Sequence, residues 1–109
     1  MNTTDSERRG VGPVLQDTPF AEAVVAAIHD ENENVVVHNE GAYLRVLVPG
    51  ACRLSRAAVQ AVTGRDVHFP GDLELIMSSF TGLMRLTDQS ALWWLADETP
   101  PQTFEEEGD

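Results

Sequence analysis

The chain has 109 residues, seven basic against eighteen acidic side chains and a formal net charge of -11, with 42% of its residues hydrophobic and 6% aromatic. That length closes one core of two packed layers and leaves no room for a nucleotide-binding domain beside a substrate domain. Every basic residue is an arginine, which excludes a Schiff-base lysine, a P-loop lysine and a polybasic membrane patch, and so acidic a domain repels nucleic-acid phosphates. No apolar run approaches the roughly 18 to 20 residues that span a bilayer. The polar stretch Met1 to Gly10 lacks the hydrophobic segment of a signal peptide. A single cysteine, Cys52, forms no internal disulfide and suits a reducing cytoplasm.

Residues 97–109 hold six of the acids and no arginine, which leaves -5 on the remainder. With Pro100, Pro101 and one aromatic, Phe104, the segment 98–109 buries too little apolar surface to offset its ordering entropy and is expected to be disordered, as is 1–10. The folded domain is accordingly 11–97. Asp17, Glu22, Asp30, Glu31, Glu33 and Glu40 precede Arg45, Arg53, Arg56, Arg65 and Arg85, which predicts an acidic face on the first half of the domain.

Val11 to Leu15, interrupted by Gly12 and Pro13, suits an edge strand or an extended arm. Thr18 is placed to cap a helix that starts at Pro19, with Phe20, Val24, Ala27 and Ile28 forming its buried stripe and Asp30 to Asn34 ending it. Val35 to His38 and Ala42 to Val48 form an antiparallel hairpin around Asn39-Glu40-Gly41. In its second strand Leu44, Val46 and Val48 share one face and Tyr43, Arg45 and Leu47 the other, and Pro49-Gly50 stops it. Cys52 then falls in a loop. Ser55 caps a second helix over about 56–63, stapled by Leu54 and Val59 and closed by Gly64. Leu73, Leu75 and Met77 alternate with Glu74, Ile76 and Ser78 as in a strand, although a helical turn near 71–75 fits as well. Leu83 to Thr87 and Ala91 to Leu95 form a second hairpin around Asp88-Gln89-Ser90. The class is α+β, a largely antiparallel sheet with helices packed on it.

No catalytic constellation stands out. His29, His38 and His68 are spaced unlike metal ligands, Cys52 has no histidine near it in sequence and reads as a buried structural thiol, and Gly10-x-Gly12 opens no dinucleotide-binding unit. The acidic pairs fall in a helix end and a tail, where carboxylates are solvated. Ser78-Ser79-Phe80-Thr81-Gly82 is the odd stretch. It is either a bend between strands with Phe80 buried, or a contact surface whose small residues admit a partner's backbone while Phe80 anchors it.

Five segments carry a resemblance: Val11-Gly12-Pro13-Val14-Leu15, Gly41-Ala42-Tyr43-Leu44-Arg45-Val46, Cys52-Arg53-Leu54-Ser55-Arg56, Thr63-Gly64-Arg65 and Leu73 through Gly82. In order and spacing the chain resembles the effector (coupling) proteins of soluble diiron monooxygenases, closer to those of toluene, phenol and alkene monooxygenases than to the methane enzyme's longer one. The resemblance implies an α+β fold with two or three helices and a non-catalytic protein without metal, flavin or nucleotide cofactor. It implies docking on the α-subunit of a diiron hydroxylase, with Ser78, Ser79, Phe80, Thr81 and Gly82 at the interface, over the substrate and oxygen route, so that oxygen activation and oxidation of an alkene or aromatic hydrocarbon stay coupled. The alternative is a stand-alone sensing domain whose apolar strands around Trp93 and Trp94 enclose a small molecule.

Overall fold

The computed structural model describes residues 9–96, and the readings of an N-terminal arm and an acidic tail fall on residues outside that range, except for Arg9 and Gly10. The chain runs β1 (Gly10–Gln16), α1 (Pro19–Glu31), β2 (Val36–Asn39), β3 (Tyr43–Pro49), β4 (Ala51–Ser55), α2 (Arg56–Thr63), α3 (Gly71–Ile76), β5 (Met77–Thr81), β6 (Leu83–Leu86) and β7 (Ser90–Trp94). Two antiparallel sheets result, one ordered β2-β3-β1-β5 and the other β4-β7-β6. The class is α+β, with the strands divided between two sheets and three helices beside them.

The local signals account for most element ends. The Thr18 hydroxyl accepts from the Ala21 amide at 3.0 Å, so α1 begins with one of its orphan donors satisfied and Pro19 at the first position. Ala21, Val24, Ala27 and Ile28 are its buried stripe, and Phe20 is only half-buried at its edge. The Ser55 hydroxyl accepts from Ala58 at 3.1 Å, Gly64 closes α2 in the left-handed conformation with its amide on Gln60 O at 2.8 Å, and Leu54 and Val59 are both buried. Each fully buried side chain of this size stabilises the fold by roughly 1.5–3 kcal/mol. The hairpin of β2 and β3 turns at Gly41, whose φ is +85° and whose amide bonds Asn39 Oδ1 at 3.0 Å.

Three expectations are corrected. Val11 to Leu15 is no edge strand: β1 lies between β3 and β5, and Pro13 is fully buried there. The paired register with β3 holds at Val11 and Val14 and is interrupted at Gly12 and Pro13, so the missing proline N–H falls where that ladder makes no demand. Cys52 is in a strand, because Gly50, at φ +83°, reverses the chain and lets Ala51–Ser55 pair with β7. Leu73 and Ile76 are buried three positions apart while Leu75 is 78% exposed, so 71–76 is helical and the strand begins only at Met77.

The core lies between the inner face of the four-stranded sheet (Val11, Leu15, Leu44, Val46, Val48), the inner face of the other sheet (Cys52, Leu54, Ala91, Trp93) and the apolar stripes of the helices. Two consecutive side chains join α1 to β4. Asn32 Nδ2 donates to Arg53 O at 2.7 Å and to Ile28 O at 2.9 Å, and its Oδ1 accepts from Arg53 N at 3.0 Å. Glu31 accepts from both the amide and the hydroxyl of Ser55 at 2.7 Å.

Gly12 has φ +149°, and a Cβ there would run into the carbonyl oxygen of Val46. Gly41 also has positive φ but faces open space. Replacing Gly12 by Ala is therefore expected to cost roughly 2–4 kcal/mol through strain and collision, and Gly41→Ala about 1–2 kcal/mol through backbone strain alone. Thermal unfolding of the two variants checks the ranking, and equal losses would show that the approach of β1 to β3 carries no special constraint.

Candidate functional site

The odd stretch is a strand. Leu73 and Ile76 anchor α3 in the core, the Met77 amide bonds Leu73 O, and the chain passes straight into β5 at the edge of the four-stranded sheet. Thr81, Phe80, Ser79 and Met77 pair with Gly12, Pro13, Val14 and Leu15, with a bulge that leaves Ser78 without a Cα partner. The Ser78 hydroxyl donates to Val14 O at 3.3 Å. Gly82, at φ +98°, turns the chain into β6, and a Cβ there would come within 2.6 Å of Trp94 O and 2.8 Å of Val11 Cγ1. The turn into the second sheet needs glycine for both reasons.

Ser78, Ser79 and Phe80 are exposed and Thr81 and Gly82 are half-buried. Phe80 keeps 40% of its surface in solvent, so the alternative of a bend with a buried phenylalanine is set aside. One edge of β5 pairs with β1, and no described strand pairs with the other. Chemically this strand offers an exposed aromatic, three hydroxyls and free backbone groups, with no ionisable side chain. It suits recognition, and the strand itself carries no general base to activate its hydroxyls.

The other candidate groups are dispersed. His29, His38 and His68 are all exposed. Among the described residues no three His, Cys, Asp or Glu side chains stand close enough to hold a metal ion. Clefts of about 240, 420 and 280 Å3 open beside Arg56 and His68, beside Asp30 to Asn34, and beside Phe20 and Leu75. Neither Trp93 nor Trp94 lines any of these three. Trp93 is fully buried between Cys52 and Met84 on the neighbouring strands, and its indole N–H finds no acceptor. Trp94 lies under the Arg85 guanidinium, 5.6 Å from the ring centre. The two tryptophans are thus engaged in packing, and none of these three clefts gives the sensing-domain reading a ligand site beside them.

Sequence reasoning singled out Ser78 to Gly82 but missed that the segment is an edge strand. The signal was available in the run Leu73 to Ile76, whose i, i+3 spacing moves the strand start to Met77 and makes Ser78 to Thr81 its body. The face bearing Tyr43, Arg45 and Leu47 was also legible from the alternation, but not that it belongs to the same sheet as β5; Tyr43 is 39% exposed there.

Cys52 is fully buried, and burial, then the nearby charge of Glu31, pushes its thiol well above the ordinary range. A thiol held in that form is a poor nucleophile. Native protein at pH 8 is expected to resist an aromatic disulfide reagent that labels it fully in denaturant. Equal labelling rates in the two conditions would show the thiol to be reachable.

Comparisons with known proteins agree with this geometry. The model of the MmoB/DmpM family matches residues 9–94. The effector subunit of the alkene monooxygenase system of Xanthobacter autotrophicus (strain ATCC BAA-1158 / Py2) is 34% identical over 92 residues, covering 83% of this chain and 90% of that protein. A chain in the solved structure of a phenol hydroxylase–regulatory protein complex superposes with a TM-score of 0.71 at 16% identity, over 80% of this chain and 98% of that one, and so shares the fold. With the match spanning all ten elements from β1 to β7, the chain belongs to the MmoB/DmpM family.

Proposed function

We propose that this chain is the regulatory effector of a multicomponent diiron monooxygenase, a non-catalytic component that docks on the hydroxylase α-subunit with β5 foremost. The observation that carries the reading is the 34% identity, over nearly the whole of both chains, to an alkene monooxygenase effector subunit. The exposed strand from Ser78 to Thr81 supports β5 as the contact: its hydroxyl and glycine-flanked backbone admits close approach, and Phe80 supplies an anchor. Among the described residues no helix is long and apolar enough to cross a membrane. A cytoplasmic location fits the single buried thiol.

An effector acts by binding one conformation of its partner better than another. A differential of about 1.4 kcal/mol shifts that equilibrium tenfold, so a few well-placed contacts along one strand suffice. The consequence for the hydroxylase is a change in access and geometry at its diiron centre that keeps reducing power, oxygen and hydrocarbon in step.

The test is turnover of the reconstituted monooxygenase with and without the chain, alongside the variant Ser79→Trp. Ser79 is exposed and lies opposite Val14, so the bulk is tolerated by the fold and meets only the partner. Circular dichroism and melting should be unchanged while coupled product formation falls about tenfold. If the variant melts normally and supports full coupled turnover, β5 is not at the interface. A wild-type chain with no effect on turnover overturns the effector reading.

A further inference from the structure

Taking the effector reading as its premise, we infer that the contact with the hydroxylase extends from β5 across the whole outward face of the four-stranded sheet, with Tyr43 and Val36 as its far anchors. Size is the first argument. Five residues of one strand present roughly 80 Å2, about a tenth of the roughly 800 Å2 that each partner buries in a stable interface. Four strands about 4.8 Å apart and up to seven residues long present roughly 400 Å2. The strand alone is too small to hold a complex; with its sheet it supplies a substantial part of one.

Continuity is the second. Directly opposed residues of an antiparallel ladder share a face. Ser79 is opposite Val14, Val14 is opposite Arg45, and Arg45 is opposite His38, so the row from Ser79 crosses the sheet to the far edge, with Val14 itself buried at its centre. Phe80, opposite Pro13, belongs to the other face and meets a partner only over the free edge of β5. One step along the sheet, Val36 pairs with Leu47, and in the other direction Tyr43 pairs with Gln16. The opposite face of β3, carrying Leu44, Val46 and Val48, lies in the core with the buried residues of the helices. The outward face is open at Val36, 47% exposed, and at Tyr43, 39% exposed.

Charge is the third. In a chain of net charge -11, none of the four strands carries an Asp or Glu. Arg45 is the only fully ionised side chain on them, and its Nε is 3.3 Å from Glu40 at the hairpin end. Interface centres are depleted of charge and enriched in Tyr and Arg. The occupant that fits is an uncharged, apolar stretch of hydroxylase surface with acceptors for Tyr43 and Arg45.

The experiment measures affinity of the full chain for the purified hydroxylase by calorimetry, for wild type, Val36→Asp, Tyr43→Ala and the control Gln89→Glu. Gln89 is exposed in the β6–β7 turn, away from this sheet. Val36→Asp and Tyr43→Ala should each weaken binding about tenfold, while the control stays within about twofold of wild type. As a check independent of any variant's folding, amide hydrogen exchange of wild type should slow over 36–38 and 43–47 when hydroxylase is added. If Ser79→Trp disrupts coupling while Val36→Asp and Tyr43→Ala bind as wild type and exchange over 36–47 is unchanged, the sheet face is no interface and the effector reading stands alone. If wild type neither binds nor alters turnover, the effector reading itself falls.

Discussion

The tight passage of β1 against β3 at Gly12 and Pro13 is the constraint on which the rest of the molecule hangs. A side chain at position 12 would collide with the Val46 carbonyl, and Pro13 has no N–H to give, so the two residues fit only where the ladder to β3 is interrupted. On the other side of β1 the same two residues pair with Thr81 and Phe80 of β5. The inner face of β1 meanwhile touches β4 and β7, the strands of the other sheet. One segment thus fixes the register of β5 and the approach of the two sheets. Gly82 shows the same economy from the opposite direction, since it turns between the sheets where a side chain would meet both Trp94 and Val11. A mobile edge strand would lose entropy on docking; one backed by so constrained a neighbour has lost most of it on folding.

The second sheet is held by polar chemistry as much as by packing. Glu31 and Asn32 end α1 and bind β4 along its backbone, and Ser55, which Glu31 holds, caps α2 in turn. Each hydrogen bond contributes about 1 kcal/mol net, but a buried donor or acceptor left without its partner costs about 1–3 kcal/mol. The stitch therefore acts more by forbidding other placements of α1 than by adding stability. The unpaired indole of Trp93 marks the limit of that economy: its shape fills the centre of the core, and no acceptor reaches its N–H.

What the sequence made legible follows from where its signals are local. Thr18-Pro19, Ser55 with Gly64, and the alternation from Tyr43 to Val48 each carry their own physical cause within a few residues, and the elements stand as expected. The misplacements share a different origin. Whether Val11 to Leu15 sits at an edge depends on β5, some 65 residues away, arriving to pair with it. Whether Cys52 lies in a strand depends on β7. Between Leu73 and Ser78 both periods fit the apolar residues, and burial of Ile76 against exposure of Leu75 decided for the helix. The candidate site was legible as a composition anomaly, because small hydroxyl residues beside an aromatic make poor sense in a core. Its geometry was not, because an edge is a property of the sheet.

The distribution of charge separates attraction from contact. All the carboxylates of the described residues lie on helices or in loops, and neither sheet carries one on a strand. A carboxylate at the centre of a docking face would have to be desolvated on binding, at several kcal/mol unless matched by a partner. Placed on α1, on α3 and in the connecting loops, the same charges act through solvent, over the roughly 8–10 Å that physiological salt allows, and on the proposed reading would bias an approach without entering the contact. On the proposed reading, the acidic helices and loops and the carboxylate-free strands are two parts of one arrangement: the first act at a distance, and the second, with Arg45 as the one ionised side chain of the four-stranded sheet, keep carboxylates out of the contact.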